Sequence, residues 1–227
     1  SVTYIDPVTK ATANFKAPNR IPSSSNTLGY DAGIITLKND NNSAIGNNAT
    51  TAKITLGSTQ DVYFYYFNAI AVEIIEPKII LTKKVFDDNG LPAENKAVGL
   101  GAILKYELQF QNVGNDNAKN FTISDVLPAN TIFNYPADIE TPLQAGVTHT
   151  YDSATRTITF TIADNLVTKN GNLSVPIRFK VQVVPTCANL TEPCNNIIKN
   201  TAKSKYTGEI NTNGGLGFGE DSFSSYS

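Results

Sequence analysis

The stretch Leu104-Lys105-Tyr106-Glu107-Leu108-Gln109-Phe110 decides the fold. Leu104, Tyr106, Leu108 and Phe110 share one parity; Lys105, Glu107 and Gln109 take the other. Period two is the signature of a strand with one face in a core and one in water. The same alternation returns in Thr157–Ile162, where Ile158, Phe160 and Ile162 alternate with threonines, and in Ile177–Val183, where Ile177, Phe179, Val181 and Val183 alternate with Arg178, Lys180 and Gln182. No window carries a comparable stripe at helical spacing, and Asn, Thr, Val and Ile are abundant.

Turn-forming clusters punctuate these runs: Asp87-Asp88-Asn89-Gly90, Gly114-Asn115-Asp116-Asn117, Leu127-Pro128-Ala129-Asn130 and Lys169-Asn170-Gly171-Asn172. The part after residue 76 therefore reads as about seven short strands, the count of an all-β, immunoglobulin-like sandwich. They are expected over Ile79–Phe86, Ile103–Asn112, 121–127, 131–134 with 148–151, 155–162, 173–184 and 196–206. The first part holds fewer, at 2–5, 33–37, 51–56 and 62–75, with polar loops at 17–27 and 38–48. Glu76-Pro77 marks the division, since proline ends one strand before another starts. The expected organisation is a small β-rich domain over 1–76, whole or truncated, a sandwich over 77–207, and a Gly/Asn-rich tail or linker over 208–227.

Composition narrows the function. At 41% hydrophobic the chain of 227 residues can bury a core, so it is not disordered as a whole. The formal charge of −2 gives no footprint for nucleic acid or for an anionic membrane surface. One His and two Cys are too few for an ordinary zinc site. A chain without Met does not begin at its own initiator, so residue 1 is expected to be a processing site or a cut in a longer protein. Cys187 and Cys194 sit in a segment that also holds Pro185 and Pro193, without the two-residue gap of a redox or zinc pair. The expected state is a local disulfide contributing about 2.5 kcal/mol, which implies an oxidising compartment; the alternative is two free thiols.

A longer pattern resembles a known family. Asn112-Val113-Gly114-Asn115-Asp116-Asn117-Ala118 precedes Phe121-Thr122-Ile123-Ser124-Asp125-Val126-Leu127-Pro128-Ala129. This is similar to a sandwich domain repeated in many bacterial surface proteins, whose two ends Leu81-Thr82-Lys83 and Asn200-Thr201-Ala202 also resemble. The stretch ending Cys194-Asn195-Asn196-Ile197-Ile198-Lys199-Asn200, and Leu28-Gly29-Tyr30-Asp31-Ala32-Gly33, look like the versions found in Bacteroidetes. The nearest type is the SprB class of gliding-motility cell-surface adhesins. The resemblance covers about 77–210 well and 1–76 loosely. It implies a long filament of rigid modules, exported by type IX secretion to the outer surface. Its expected partners are neighbouring domains of the same polypeptide and extracellular surfaces or polysaccharide. It implies neither a ligand nor an enzyme, and the fragment is expected to be monomeric.

Parity gives the sharpest chemical expectation. Lys83 shares parity with Ile79, Leu81 and Val85; Asp125 with Phe121, Ile123 and Leu127; Asn200 with Ile198, Ala202 and Tyr206. A lysine, an aspartate and an asparagine thus all face the core, where an isolated charge is expensive, so the three are expected to meet. Surface adhesins and pilins bring a lysine and an asparagine together in this way for a spontaneous isopeptide bond. Desolvation there favours the neutral, nucleophilic amine, and an acid polarises the carboxamide. The expectation is a Lys83–Asn200 crosslink with Asp125 as catalyst. Two alternatives stand beside it: a Lys83–Asp125 salt bridge hydrogen-bonded to Asn200, and a register slip that puts Lys84 inside.

Other sites are weaker. Asp40, Asp87, Asp88 and Asp116 lie in Asp/Asn-rich loops that offer calcium oxygen ligands, but the D-x-[DN]-x-[DN]-G spacing is absent. No cofactor other than possible calcium is expected. His149, Asp152 and Ser153 lie on one hairpin, where neighbours point to opposite faces, and no nucleophile elbow accompanies them. Asn41, Asn48, Asn120, Asn172 and Asn189 start N-x-S/T strings, and Asp152-Ser153-Ala154 resembles a short O-glycosylation motif at Ser153 as well as an ordinary turn. The alternative function is a carbohydrate-binding module with Tyr63, Tyr65 and Tyr66 as its aromatic platform, against which the lack of Trp counts.

Overall fold

The computed structural model describes residues 3–5, 12–14, 39, 44–46, 49–55, 62, 64–67, 69–71, 75–191, 197–210, 215–218 and 222–226. The chain divides into two compact units, Ser1–Ile70 and Ala71–Ser227, a few residues before the Glu76-Pro77 division expected from sequence. In the first unit, β1 (Thr3–Ile5) pairs antiparallel with β2 (Thr12–Asn14), a strand that the sequence reading omitted.

Two expected strands are corrected. Residues 51–55 are not in a strand and are exposed, and neither are the described residues of 62–75, where Val62, Phe64, Tyr66 and Phe67 stand in solvent. An apolar run becomes a strand only where a neighbour takes its N–H and C=O groups, and among the described residues none does. The expected strand at 33–37 lies outside the described residues.

The second unit is an immunoglobulin-like β-sandwich. Its strands are β3 (Ile79–Phe86), β4 (Ala97–Val98), β5 (Ile103–Asn112), β6 (Ala118–Val126), β7 (Thr131–Ile132), β8 (Val147–Asp152), β9 (Thr157–Ile162), β10 (Ile177–Val183), β11 (Ile197–Asn200), β12 (Ala202–Gly208), β13 (Gly215–Phe218) and β14 (Ser222–Tyr226). One sheet has the order β3-β5-β10-β7 and the other β13-β12-β6-β9-β8, all antiparallel. Their inward residues interlock: Phe110 meets Phe121 at 5.0 Å between ring centroids and Phe179 meets Phe160 at 6.1 Å. Leu104, Tyr106, Leu108 and Phe110 are all buried, so the parity that opened the sequence reading is the parity of the core.

The tail reading is also corrected. Residues 208–227 include β13, which extends the second sheet, and β14, which lies between β11 and β4. Gly215-Leu216-Gly217-Phe218 keeps a period of two, and glycine in a strand weakens pairing without forbidding it. The expected last strand, 196–206, is two strands. It breaks at Thr201, where the chain leaves β14 and joins β6.

A bulge sets the face of β6. Thr207 pairs with Lys119 and Lys205 with Thr122, so Tyr206 opposes both Asn120 and Phe121. Asn120 has φ of 53°, a left-handed conformation that asparagine tolerates. The extra residue resets parity, and Ala118 and Phe121, three apart, are both buried. Alternation alone therefore started this strand at 121; the residues before it belong to the same strand in the opposite phase.

The Asn-x-Gly motif is a structural clasp. Asn112 is buried; its Oδ1 accepts from the Lys78 N–H at 3.0 Å and the Gly114 N–H at 3.0 Å, and its Nδ2 donates to the Asp116 and Val167 carbonyls at 2.8 and 3.0 Å. The segment leading into β3 crosses directly over Gly114. A Cβ there would stand 2.4 Å from both the Glu76 carbonyl oxygen and the Lys78 nitrogen. Gly114→Ala is expected to destabilise the unit by about 1–3 kcal/mol by overpacking. Urea unfolding measures it, and an unchanged midpoint counts against the clasp.

Candidate functional site

β3 is an edge strand, and its inward positions are Ile79, Leu81, Lys83 and Val85, with Lys84 exposed. The register that would have put Lys84 inside is therefore not the one adopted. Lys83 cannot be solvated where it points, and its Nζ pairs directly with Asp125 Oδ2 from β6 in the facing sheet. Both side chains are wholly removed from solvent. Asn200, at the end of β11, is 1% exposed. Two residues on, Ala202 pairs with Asp125, which brings the inward side of the Asn200–Ala202 turn of chain to the same strand position.

Tyr106 joins the three. It faces Val85 across the β3–β5 ladder and Phe179 across the β5–β10 ladder. Its ring carries Lys83 Nζ at 4.6 Å from the centroid, and the Phe179 ring lies 6.0 Å from the same nitrogen. Its hydroxyl is raised well above the ordinary phenol range, first by burial and then by the negative charge of Asp125; a hydrogen bond with the Asn200 side chain opposes the rise. Lysine ammonium, aspartate carboxylate and asparagine carboxamide thus converge on one tyrosine. The arrangement holds an amine, a proton carrier and an amide carbon in a dry pocket, the components of an aminolysis.

The sequence reading brought Lys83, Asp125 and Asn200 together. It left Tyr106 and Phe179 among ordinary core residues. The signal for Tyr106 was its hydroxyl, because a tyrosine at an inward position needs a polar partner where phenylalanine would not.

The remaining candidates are not assembled. Asp87 Oδ1 accepts from the Leu91 N–H at 2.8 Å, Asp88 pairs with Lys105 at 2.9 Å, and Asp116 Oδ2 accepts from the Ile210 N–H at 2.9 Å. Asp40 lies outside the described residues, and among those described no three His, Cys, Asp or Glu side chains converge. Asp87 closes its own turn, whereas Asp88 and Asp116 tie their loops to Lys105 on β5 and to Ile210 after β12. Asp152 closes such a turn, accepting from the Ala154 N–H at 2.9 Å and the Thr155 hydroxyl at 2.8 Å; the Thr155 bond chiefly holds its carboxyl below the usual range. Ser153 is exposed at its tip. His149 Nδ1 is 3.1 Å from the Tyr135 hydroxyl on another loop, so it forms no triad with Asp152 and Ser153. Cys187 is exposed in a short 3-10 turn, and Cys194 lies outside the described residues. Tyr65 and Tyr66 are exposed, and Tyr63 is outside the description.

No family model matches the chain. Among solved structures it is similar to the full-length major pilin SpaD from Corynebacterium diphtheriae, at 15% identity over 65% of this chain and 35% of that one, with a TM-score of 0.45. It is similar also to the major pilin subunit BcpA of Bacillus cereus, at 15% identity over 66% of this chain and 41% of that one, TM-score 0.46. A third is the C-terminal domain of the antigen I/II polypeptide BspA of Streptococcus agalactiae, at 13% identity over 66% and 50%, TM-score 0.45. The match thus spans between about a third and a half of those chains.

Proposed function

We propose that the chain is a structural and adhesive segment of a long exported cell-surface protein, and that its sandwich unit is locked by an amide between Lys83 and Asn200. The observation that supports this is the buried Lys83–Asp125 pair, which meets the Asn200 side chain at Tyr106. A solvent-free ion pair is weak evidence for stability in itself, since desolvation offsets most of its attraction. Three polar side chains on facing strands, walled by two aromatic rings, are suited to a reaction that requires a neutral amine.

The step balances as follows. Asp125 takes a proton from the Lys83 ammonium. The freed Nζ lone pair attacks Cγ of Asn200, while the protonated Asp125 supplies a hydrogen bond and then a proton to the departing nitrogen. The Nζ–Cγ bond forms, the Cγ–Nδ2 bond breaks and ammonia is released, while Nζ gives its second proton to the Asp125 carboxylate, which passes it to the ammonia. The ionised Lys83 and neutral Asn200 become a neutral amide plus ammonium, with Asp125 regenerated.

The finer identity follows the sequence resemblance: an SprB-type adhesin of gliding motility, delivered by type IX secretion to the outer surface, with Cys187 and Cys194 joined in a disulfide. The ligand is an extracellular surface or polysaccharide, and the unit itself acts as a spacer that transmits force to it.

Intact mass tests the crosslink. The purified chain is expected to lack one ammonia, and a further two hydrogens for the disulfide, with a Lys83–Asn200 branched peptide after proteolysis. A chain with no ammonia deficit removes the crosslink.

A further inference from the structure

We propose that β14 is the positioning strand of the crosslink. Asn200 is held for attack once Ser222–Tyr226 docks between β11 and β4, so the covalent lock closes after the other strands are in place. The inference rests on the Lys83–Asn200 reading and adds an order of events to it.

The two reacting residues belong to different sheets. Lys83 lies on β3, at the edge of the sheet β3-β5-β10-β7. Asn200 lies on β11, which is in neither large sheet but at the end of the three-stranded sheet β11-β14-β4. β14 is the middle strand of that sheet. Its antiparallel pairing with β11 puts Ser222 opposite Asn200, Ser224 opposite Ile198 and Ser225 opposite Ile197. Its parallel pairing with β4 puts Ser225 opposite Ala97 and Tyr226 opposite Val98. The segment leading into β4 is tied to β3 in turn: the Ala93 N–H donates to the Val85 carbonyl at 2.9 Å, and the Val85 N–H donates to Glu94 Oε1 at 3.1 Å. A continuous path of backbone thus runs from the strand of Lys83, through 93–98 and β14, to the residue that carries the carboxamide.

The tie on the other side of Asn200 is Ala202, which pairs with Asp125. A strand end held at one point can swing about it; a ladder along β11 fixes its direction as well. Aminolysis needs that precision, because the amine and the amide carbon must stand about 3–3.5 Å apart with their orbitals aligned. β14 also follows every other strand of the unit in chain order. Lys83, Asp125 and Asn200 can therefore all be present in a partly folded chain without reacting. An amide formed at that stage would fix whatever arrangement the strands then had. Docking of β14 as the prerequisite makes the bond form on the finished sandwich.

The test acts on the backbone of β14 in the full chain. Phe223→Pro/Ser224→Pro removes two successive N–H groups, one directed at β11 and one directed away from it. Wild type and variant are made by pulsed cell-free synthesis, and the branched Lys83–Asn200 peptide is quantified against time. Crosslinking in the double-proline chain is expected to slow on the order of a hundredfold, the effect of misplacing a reacting group by about 1 Å. Ser224→Gly/Ser225→Gly keeps every ladder group and only weakens the strand; it serves where the double proline does not fold, and is expected to slow crosslinking severalfold. Gly114→Ala is the control for stability, since it loosens the clasp and leaves β14 alone. Folded fractions are read from melting of the same variants carrying Lys83→Met, which cannot form the amide. A wild-type chain that crosslinks, with the β14 variants proceeding within twofold of it, overturns the role of β14 and leaves the crosslink standing. A rate deficit that vanishes once normalised to the folded fraction, or that Gly114→Ala shares after the same normalisation, likewise overturns the role. A wild-type chain that never loses ammonia overturns both.

Discussion

An Asp125→Ala variant is expected to keep the full mass of its sequence and to unfold at a much lower urea concentration than the wild type. The two effects have one origin. Lys83 reaches the core from an edge strand, and its ammonium has Asp125 as its charge partner across the sandwich. Without the carboxylate the proposed reaction loses the group that carries its proton from amine to departing nitrogen, so the amide is not expected to form. The lysine is then left charged in an apolar setting, or neutral at the expense of a proton released to water. Breaking one side of a buried pair in this way costs about 3–5 kcal/mol, a large share of a total that is typically about 5–15 kcal/mol for a whole domain. The aromatic rings at 4.6 and 6.0 Å offset some of the loss, because each presents its negative face to the ammonium. Lys83→Met/Asp125→Leu separates the terms: it also lacks the amide, but leaves no buried charge and is expected to recover much of the stability that Asp125→Ala loses. Intact mass and urea unfolding read the two effects. An Asp125→Ala chain that still loses ammonia removes Asp125 as the catalyst, and an unchanged midpoint removes the buried pair as a source of stability.

How much of this was legible in the sequence depended on whether the pattern was local. β3 and β5 fell where period-two alternation put them, to the residue, because each has one face in the core and one outside. The inward placement of Lys83, Asp125 and Asn200 followed from the same alternation. β6 departed from it because the bulge at Asn120 changes parity within the strand, and nothing in a two-residue period announces a bulge. The last strand departed because Thr201 hands the chain from β14 to β6, a change of partner that leaves the alternation of Ile198, Asn200 and Ala202 intact. The stretch 62–75 is the opposite case: it is apolar enough for a strand, but strand formation is a property of the neighbour as well as of the segment. Tyr106 was visible as a core residue and invisible as a member of the polar cluster, since that depends on side chains 19 positions on, at Asp125, and much further on, at Asn200.

Asn200→Ala is the cleanest removal of the crosslink, because it leaves the Lys83–Asp125 pair in place. The proposed amide would join β3 to the end of β11, enclosing roughly 120 residues in a covalent loop. A closed loop of that length lowers the entropy of the unfolded chain by the equivalent of about 5 kcal/mol at 25 °C. The wild type is therefore expected to resist urea and heat far beyond Asn200→Ala, and to run faster in denaturing gels as a branched chain. The mechanical difference is larger still. When the chain is pulled at its ends, force reaches Lys83 on one side and Asn200 on the other and passes through the new bond; β5, β6, β8, β9 and β10 lie inside the loop and carry none of it. At about 3.5 Å per extended residue, some 400 Å of contour length stays hidden. Single-molecule stretching of the wild type is expected to lack that length, and Asn200→Ala to release it. Equal extensions for the two chains, or equal melting temperatures, would mean that the buried lysine and asparagine meet without reacting. A module that cannot lengthen under load suits a fibre that carries tension, and the hidden length is the quantity on which that suitability depends.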